Sequence, residues 1–260
     1  MSDTQLADLA RKPRISWLVM LGAGLAGVSV LALLAAAMGY RSGVLVLGTA
    51  FLVLRWGGYV GGAAAVVSLG ALIMTLARPR DARRGVGLAV IGVVLGAFAL
   101  VWVGSIPSSQ NPVLRPLPPI HDITTDTQDP PQFVAVLPLR VNARNPTEYG
   151  GEKIAARQRE AYPDVQPLTL ELSPSQTFER ALATVRKMGW DLVDEDAATG
   201  RIEATDTTFW FRFKDDVVIR VKMVEGGSRV DVRSLSRIGG GDVGTNAKRI
   251  RAYLQELKAG

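Results

Sequence analysis

Three stretches of this chain run without a charged side chain for long enough to cross a lipid bilayer: residues 15–38, 56–77 and 85–106, which are 24, 22 and 22 residues long. At ~1.5 Å of rise per residue, each spans a hydrocarbon core of ~30 Å as a helix. They leave about 150 of the 260 residues for soluble structure, enough for one domain. Residues 43–54 are also apolar but too short to cross, and they end at Arg55 and Trp56. They read as an interfacial or re-entrant piece from which Arg55 reaches the headgroups.

Charge gives the stretches a direction. Residues 1–104 carry nine Lys and Arg against three acids, whereas residues 105–260 carry twenty-one of each, so the whole net charge of +6 lies on the apolar part. Arg11, Lys12, Arg14, Arg78, Arg80, Arg83 and Arg84 fall on one side of the spans, and only Arg41 and Arg55 on the other. Basic residues stay on the cytoplasmic side, so the N-terminus is expected in the cytoplasm of a bacterium, the protein in its inner membrane and everything after residue 106 in the periplasm. The basic balance is thus a topology signal, and no nucleic-acid partner is expected. Membrane lipids are.

Gly22, Gly24 and Gly27 spell a dinucleotide-binding fingerprint, but no acid occurs between Asp8 and Asp81 to hold a ribose. Small residues in membrane helices explain them better. Gly57 with Gly61, Gly58 with Gly62 and Gly92 with Gly96 repeat the small-xxx-small spacing that lets helices approach closely, within one chain or in an oligomer.

Seven of the fourteen prolines lie between 107 and 131, so residues 107–135 read as an extended leader and residues 136–260 as the periplasmic domain. Ser173, Pro174 and Gln176 have the pattern of an N-cap, a first-turn proline and a capping-box partner. They open a helix with Phe178, Ala181, Leu182, Val185 and Met188 on one face. Strands are expected at 190–194, 201–213, 217–223 and 229–237, and a last helix at 245–258. The fold class is therefore a three-span α-helical membrane region plus an α+β soluble domain, with an antiparallel sheet of about four strands and two helices on one face.

Within 201–213 the apolar positions change from even (Ile202, Ala204) to odd (Phe209, Phe211, Phe213), which predicts a bulge in 205–208 and makes Asp206 and Thr208 candidate site residues. Trp210, Arg212, Arg220 and Arg233 would then share the outer sheet face with Lys222, Arg229, Asp231 and Arg237. Such a face can receive a carboxylate or an anionic head group through its arginines. It is better explained as a solvated face balanced by Asp231 and Glu203, or as one covered by the leader, since charged strand residues usually face water. The loop 239–244 could cradle an anion, but it lacks a P-loop ending, and Asp242 takes the place at the helix N-terminus that a phosphate would need.

With no cysteine and one histidine, the chain has no thiol chemistry and no HExxH metal site, and no cofactor or metal is expected. His121, Asp122 and Asp126 are the weak catalytic candidates, since no complete nucleophile, base and orienting group is evident. Three functions follow: a periplasmic domain binding an envelope component, lipid head group or protein; a periplasmic hydrolase using His121 and Asp126; or a structural subunit of a membrane assembly.

The motifs Ile-His-Asp-Ile-Thr-Thr-Asp-Thr at 120–127, Glu-Ala-Thr-Asp-Thr-Thr at 203–208, Phe-Lys-Asp-Asp-Val-Val-Ile-Arg-Val at 213–221 and Ser-Arg-Val-Asp-Val-Arg-Ser at 228–234 resemble the bacterial family of unknown function numbered fourteen ninety-nine. The resemblance covers 120–258 and implies membership without an established activity, substrate or catalytic residue. The three spans resemble the membrane-anchored form of that family.

Overall fold

A computed structural model describes residues 15–78, 84–105, 119–242 and 244–260. Arg11, Lys12, Arg14, Arg80 and Arg83, and residues 107–118 of the expected leader, lie outside the described residues. The chain divides into two compact units, 1–106 and 107–260.

The first unit holds α1 (Trp17–Arg41), α2 (Leu47–Leu76) and α3 (Val86–Ser105), three helices long and apolar enough to cross a membrane. The short apolar piece is no separate element: its residues from Leu47 onward form the start of the 30-residue α2, with Arg55 and Trp56 inside it. Nothing between 47 and 76 breaks the helix, and ~45 Å of it matches a whole bilayer with its headgroup regions. Arg55 is accommodated by Tyr59 one turn on, whose hydroxyl accepts from Nε at 3.0 Å.

These helices are packed inside out, with Leu31, Val66, Phe98 and Val101 exposed and small residues within. A side chain on Gly61 would meet Ala99 and Ser29, one on Gly96 would meet the backbone of Gly61, and one on Gly22 or Gly92 would meet Ser68. Ser29 adds a 2.7 Å hydrogen bond to the Gly57 carbonyl. The small-residue spacing is thus used between helices of this chain, as van der Waals packing in lipid requires.

The second unit is a six-stranded antiparallel sheet, two strands more than expected. Strands β3 (Asp191–Asp196), β4 (Arg201–Thr207), β5 (Lys214–Val224) and β6 (Gly227–Ser236) form the meander. Two three-residue strands, β1 (Asp122–Thr124) and β2 (Leu168–Leu170), share the remaining edge of β6, opposite 233–235 and 228–230 respectively. Residues 120–135, expected in the leader, thus belong to the domain: Ile120 and Ile123 are core residues.

Helix α5 (Pro174–Lys187) opens on the capping box, Ser173 Oγ accepting from the Gln176 amide and Gln176 Oε1 from that of Ser173. It packs with α6 (Thr245–Ala259) on one face of the sheet. Phe178, Leu182 and Val185 from α5 and Ala247, Ile250 and Tyr253 from α6 meet Ile202, Val217, Ile219, Val230 and Val232 there. An unforeseen helix, α4 (Gly151–Ala161), closes the sheet edge: Gln158 accepts from the Thr124 amide at 3.0 Å and donates to its carbonyl at 2.6 Å. One side chain thereby takes the place of a neighbouring strand.

Candidate functional site

Strand β4 stops at Thr207, so the change of phase is a strand end and no bulge lies at 205–208; the register shift falls instead in β3, between Leu192 and Asp194. Residues 208–213 form the β4–β5 turn. Thr208 closes it, its amide donating to the Phe213 carbonyl and its hydroxyl accepting from the Phe213 amide, both at 2.9 Å. Arg212 has φ 55°, the one described non-glycine residue in the left-handed region. This costs ~1–2 kcal/mol and is held by the turn around it. The turn buries Phe211, stacked on Phe213, and leaves Phe209 80% and Trp210 43% exposed. Trp210 and Arg212 therefore do not share a sheet face with Arg220 and Arg233, because the alternation that would place them there ends with the strand.

The outer face does carry Glu203, Asp216, Arg220, Asp231 and Arg233, but it is covered. Residues 126–149, which include the 3-10 turn Leu137–Arg140, lie over it with Phe133 and Val136 packed on Val218 and Leu235. The covering segment lacks regular structure, so its amides and carbonyls need partners, and the sheet's charges supply them. Glu203 accepts from the amides of Val134, Ala135 and Val136 at 2.8, 3.1 and 2.9 Å. Arg233, fully buried, donates to Asp122 through two nitrogens at 2.9 and 2.8 Å and to the carbonyls of Pro131 and Thr147 at 3.1 and 2.7 Å. Its guanidinium also lies 5.0 Å from the Phe133 ring centre and 5.5 Å from that of Tyr149. Burial pushes the Tyr149 hydroxyl up to about 12, with the nearby Asp122 charge adding to the rise.

Asp216 takes Arg140, both nitrogens of an Arg237 fork at 2.9 and 2.7 Å, and the Thr205 hydroxyl. Arg220 reaches Asp231 at 2.9 Å, Asp129 at 3.0 Å and Asp126 at 3.4 Å. The Lys222 hydrogen bond, with the Arg220 charge beside it, holds Asp129 below the usual carboxylate range.

Each acid of the catalytic candidates is thus engaged. Asp122 holds Arg233; Asp126 accepts from Arg229 at 2.7 Å and from the amides of Gln128 and Asp129. The His121 carbonyl accepts from Ser236 and Asn246, while its Nδ1 is buried without a hydrogen-bond partner. Asp206 accepts from Arg249 at 2.7 Å. Arg249, off the apolar stripe of α6, is nevertheless buried because Asp215, Asn246 and Ser234 complete its shell beneath the helix. Asp242 caps α6 as expected, accepting from the amides of Gly244 and Asn246 at 3.0 and 2.6 Å, and burial raises its carboxyl above the ordinary range.

Large apolar side chains are exposed at both ends of the sheet, Met223 at the β5–β6 end and a larger group at the β4–β5 end. Leu137, Leu139 and Val141 of the covering segment are exposed, Val141 to 84%, as are Phe209 and Trp210 of the β4–β5 turn. Arg237 ties the two segments, its side chain donating to the Leu139 carbonyl at 2.8 Å and its amide to that of Lys214 at 3.0 Å. Apolar residues this exposed were not legible as such, since Phe209 read as a core position of a longer strand.

No curated protein matches the chain. A family described as "protein of unknown function (DUF1499)" matches residues 122–257, from the first residue of β1 to the last turn of α6 and just over half of the chain. The sheet, its helices and its covering segment are the matched region, and the chain belongs to the DUF1499 family.

Proposed function

We propose that this is a multi-pass protein of the bacterial inner membrane, its N-terminus cytoplasmic, which holds its DUF1499 domain in the periplasm to bind an envelope component. The observation that carries this reading is the exposed sheet end, where Phe209, Trp210, Leu137, Leu139 and Val141 lie at the surface of a domain preceded by three apolar helices. Aromatic side chains exposed in a group serve recognition more often than stability. The basic residues gathered on one side of the spans support the orientation.

In this reading the ligand-facing members of the sequence-derived set are Trp210 and Arg212. Thr208 shapes their turn and Asp206 anchors the strand beneath it through Arg249, while Arg220 and Arg233 hold the covering segment in place. The test has two arms. A periplasm-dependent phosphatase fused after residue 260 should be active; an inactive fusion with a working cytoplasmic reporter would overturn the orientation. Cross-linking of the detergent-extracted chain should capture envelope lipid or protein at position 209, and capture unchanged in a Phe209→Ser, Trp210→Ser double variant labelled at 141 would overturn the surface.

A further inference from the structure

We infer that the exposed sheet end docks on the anionic lipid surface of the membrane that the chain itself spans. This rests on the reading of the domain as a binding module and names the component bound. The end combines two chemistries. Phe209, Trp210, Leu137, Leu139 and Val141 offer apolar and aromatic groups of the kind that enter the headgroup boundary. Around them, neither 132–147 nor 207–214 contains an acidic residue, while Arg144, Arg212 and Lys214 are exposed. Asp206, just before the turn, is taken up by Arg249, and Asp191 stands exposed opposite Thr205, so the end carries a basic excess, which complements a surface of the opposite sign.

The covalent chain decides between this occupant and a soluble one. Thirteen residues, 106–118, join α3 to the domain, and whatever their conformation they reach at most about 47 Å, at ~3.6 Å each. A bilayer surface is therefore always at high effective concentration, and a patch of a few aromatic and basic side chains suffices to hold it.

The chain has no cysteine, so a single spin label reports one position in the full-length protein. Phe209→Cys carries the label at the turn. Ala198→Cys, in the β3–β4 turn at the other end of β4, is the control. Both are reconstituted into bilayers of phosphatidylcholine alone or mixed with phosphatidylglycerol. The docked state gives a label at 209 that collides with oxygen dissolved in lipid and is shielded from an aqueous relaxant in the anionic bilayer, with the control in water throughout. Replacing Arg144, Arg212 and Lys214 singly, Arg212 by Gly to keep the turn and the others by Gln, should lower the docked-to-free ratio about fivefold each. A label at 209 that stays in water in both bilayers overturns the inference, as does equal immersion in both. Shielding from both relaxants assigns the end to a protein partner and also overturns it. None of these results bears on the phosphatase fusion, so docking and orientation fail separately.

Discussion

On the helix-covered face of the sheet, Ile202, Val217, Ile219 and Val232 are buried under α5 and α6; on the opposite face Glu203, Asp216, Asp231 and Arg233 are buried to the same depth under residues 126–149. The difference follows from what each cover does with its own backbone. A helix pairs its amides and carbonyls internally and asks only for apolar contact. The irregular segment pairs few of its own, so the strands beneath it present carboxylates to its amides and guanidiniums to its carbonyls. Arg233 alone bridges Asp122, Pro131 and Thr147, and Glu203 gathers three consecutive amides. Burying such charges costs several kcal/mol of desolvation each, so this face gives less net stability per contact than the helical one. It fixes the path of the segment instead.

The largest loss is expected at Arg233. Arg233→Ala strands Asp122 in the interior and should cost ~3–5 kcal/mol in denaturant unfolding, followed by the near-ultraviolet signal of Trp190 stacked on Tyr253. Arg233→Met with Asp122→Leu should recover a large part of that loss; a cost below ~1 kcal/mol for the single change would mean that the face is solvated. Glu203→Gln leaves at least one buried amide of 134–136 unpaired and should cost ~1–3 kcal/mol, with increased protease cutting in 126–149 but not in α5 or α6.

Asp242 sharpens the helical side. Its folded carboxyl is raised above the ordinary 3.8 by burial, so its contribution to stability is full below that value and is lost as pH rises through the folded one. Asp242→Asn does not titrate, and the stability difference should therefore move in the variant's favour as pH is raised from about 4 to neutrality. The smallest effect belongs to Tyr149, whose buried hydroxyl has no partner while its ring faces Arg233. Tyr149→Phe keeps the ring and should change stability by no more than ~0.5 kcal/mol, whereas Tyr149→Ala should be clearly destabilising in the same assay.

Features written in local sequence were legible. The three apolar helices follow from uncharged runs, α5 from Ser173, Pro174 and Gln176, α6 from its apolar stripe and Asp242, and the strand faces of β5 and β6 from alternation. Features set by tertiary partners were not. Strands of three residues carry no period, so β1 and β2 passed unseen, and α4 turns a polar Gln158 inward because a strand edge awaits it. At the candidate site the outward positions along β5 and β6 followed from alternation, and cover by the leader was one reading of that face, but the cover runs on through residues 136–149, which no local pattern marked. Phe209 was misplaced because a turn closed by Thr208 continues the look of a strand.

Hydrogen exchange at three amides tests the account most directly, because Val134, Ala135 and Val136 are protected by nothing but the Glu203 carboxylate and the cover it holds. If the covering segment is part of the cooperative fold, these amides exchange with the same opening free energy as those of Val217 and Ile219 in central β5, and Glu203→Gln releases them while leaving β5 protected. Exchange of all three at unfolded-chain rates in the unaltered protein would show that the charged face is open and contradict the account.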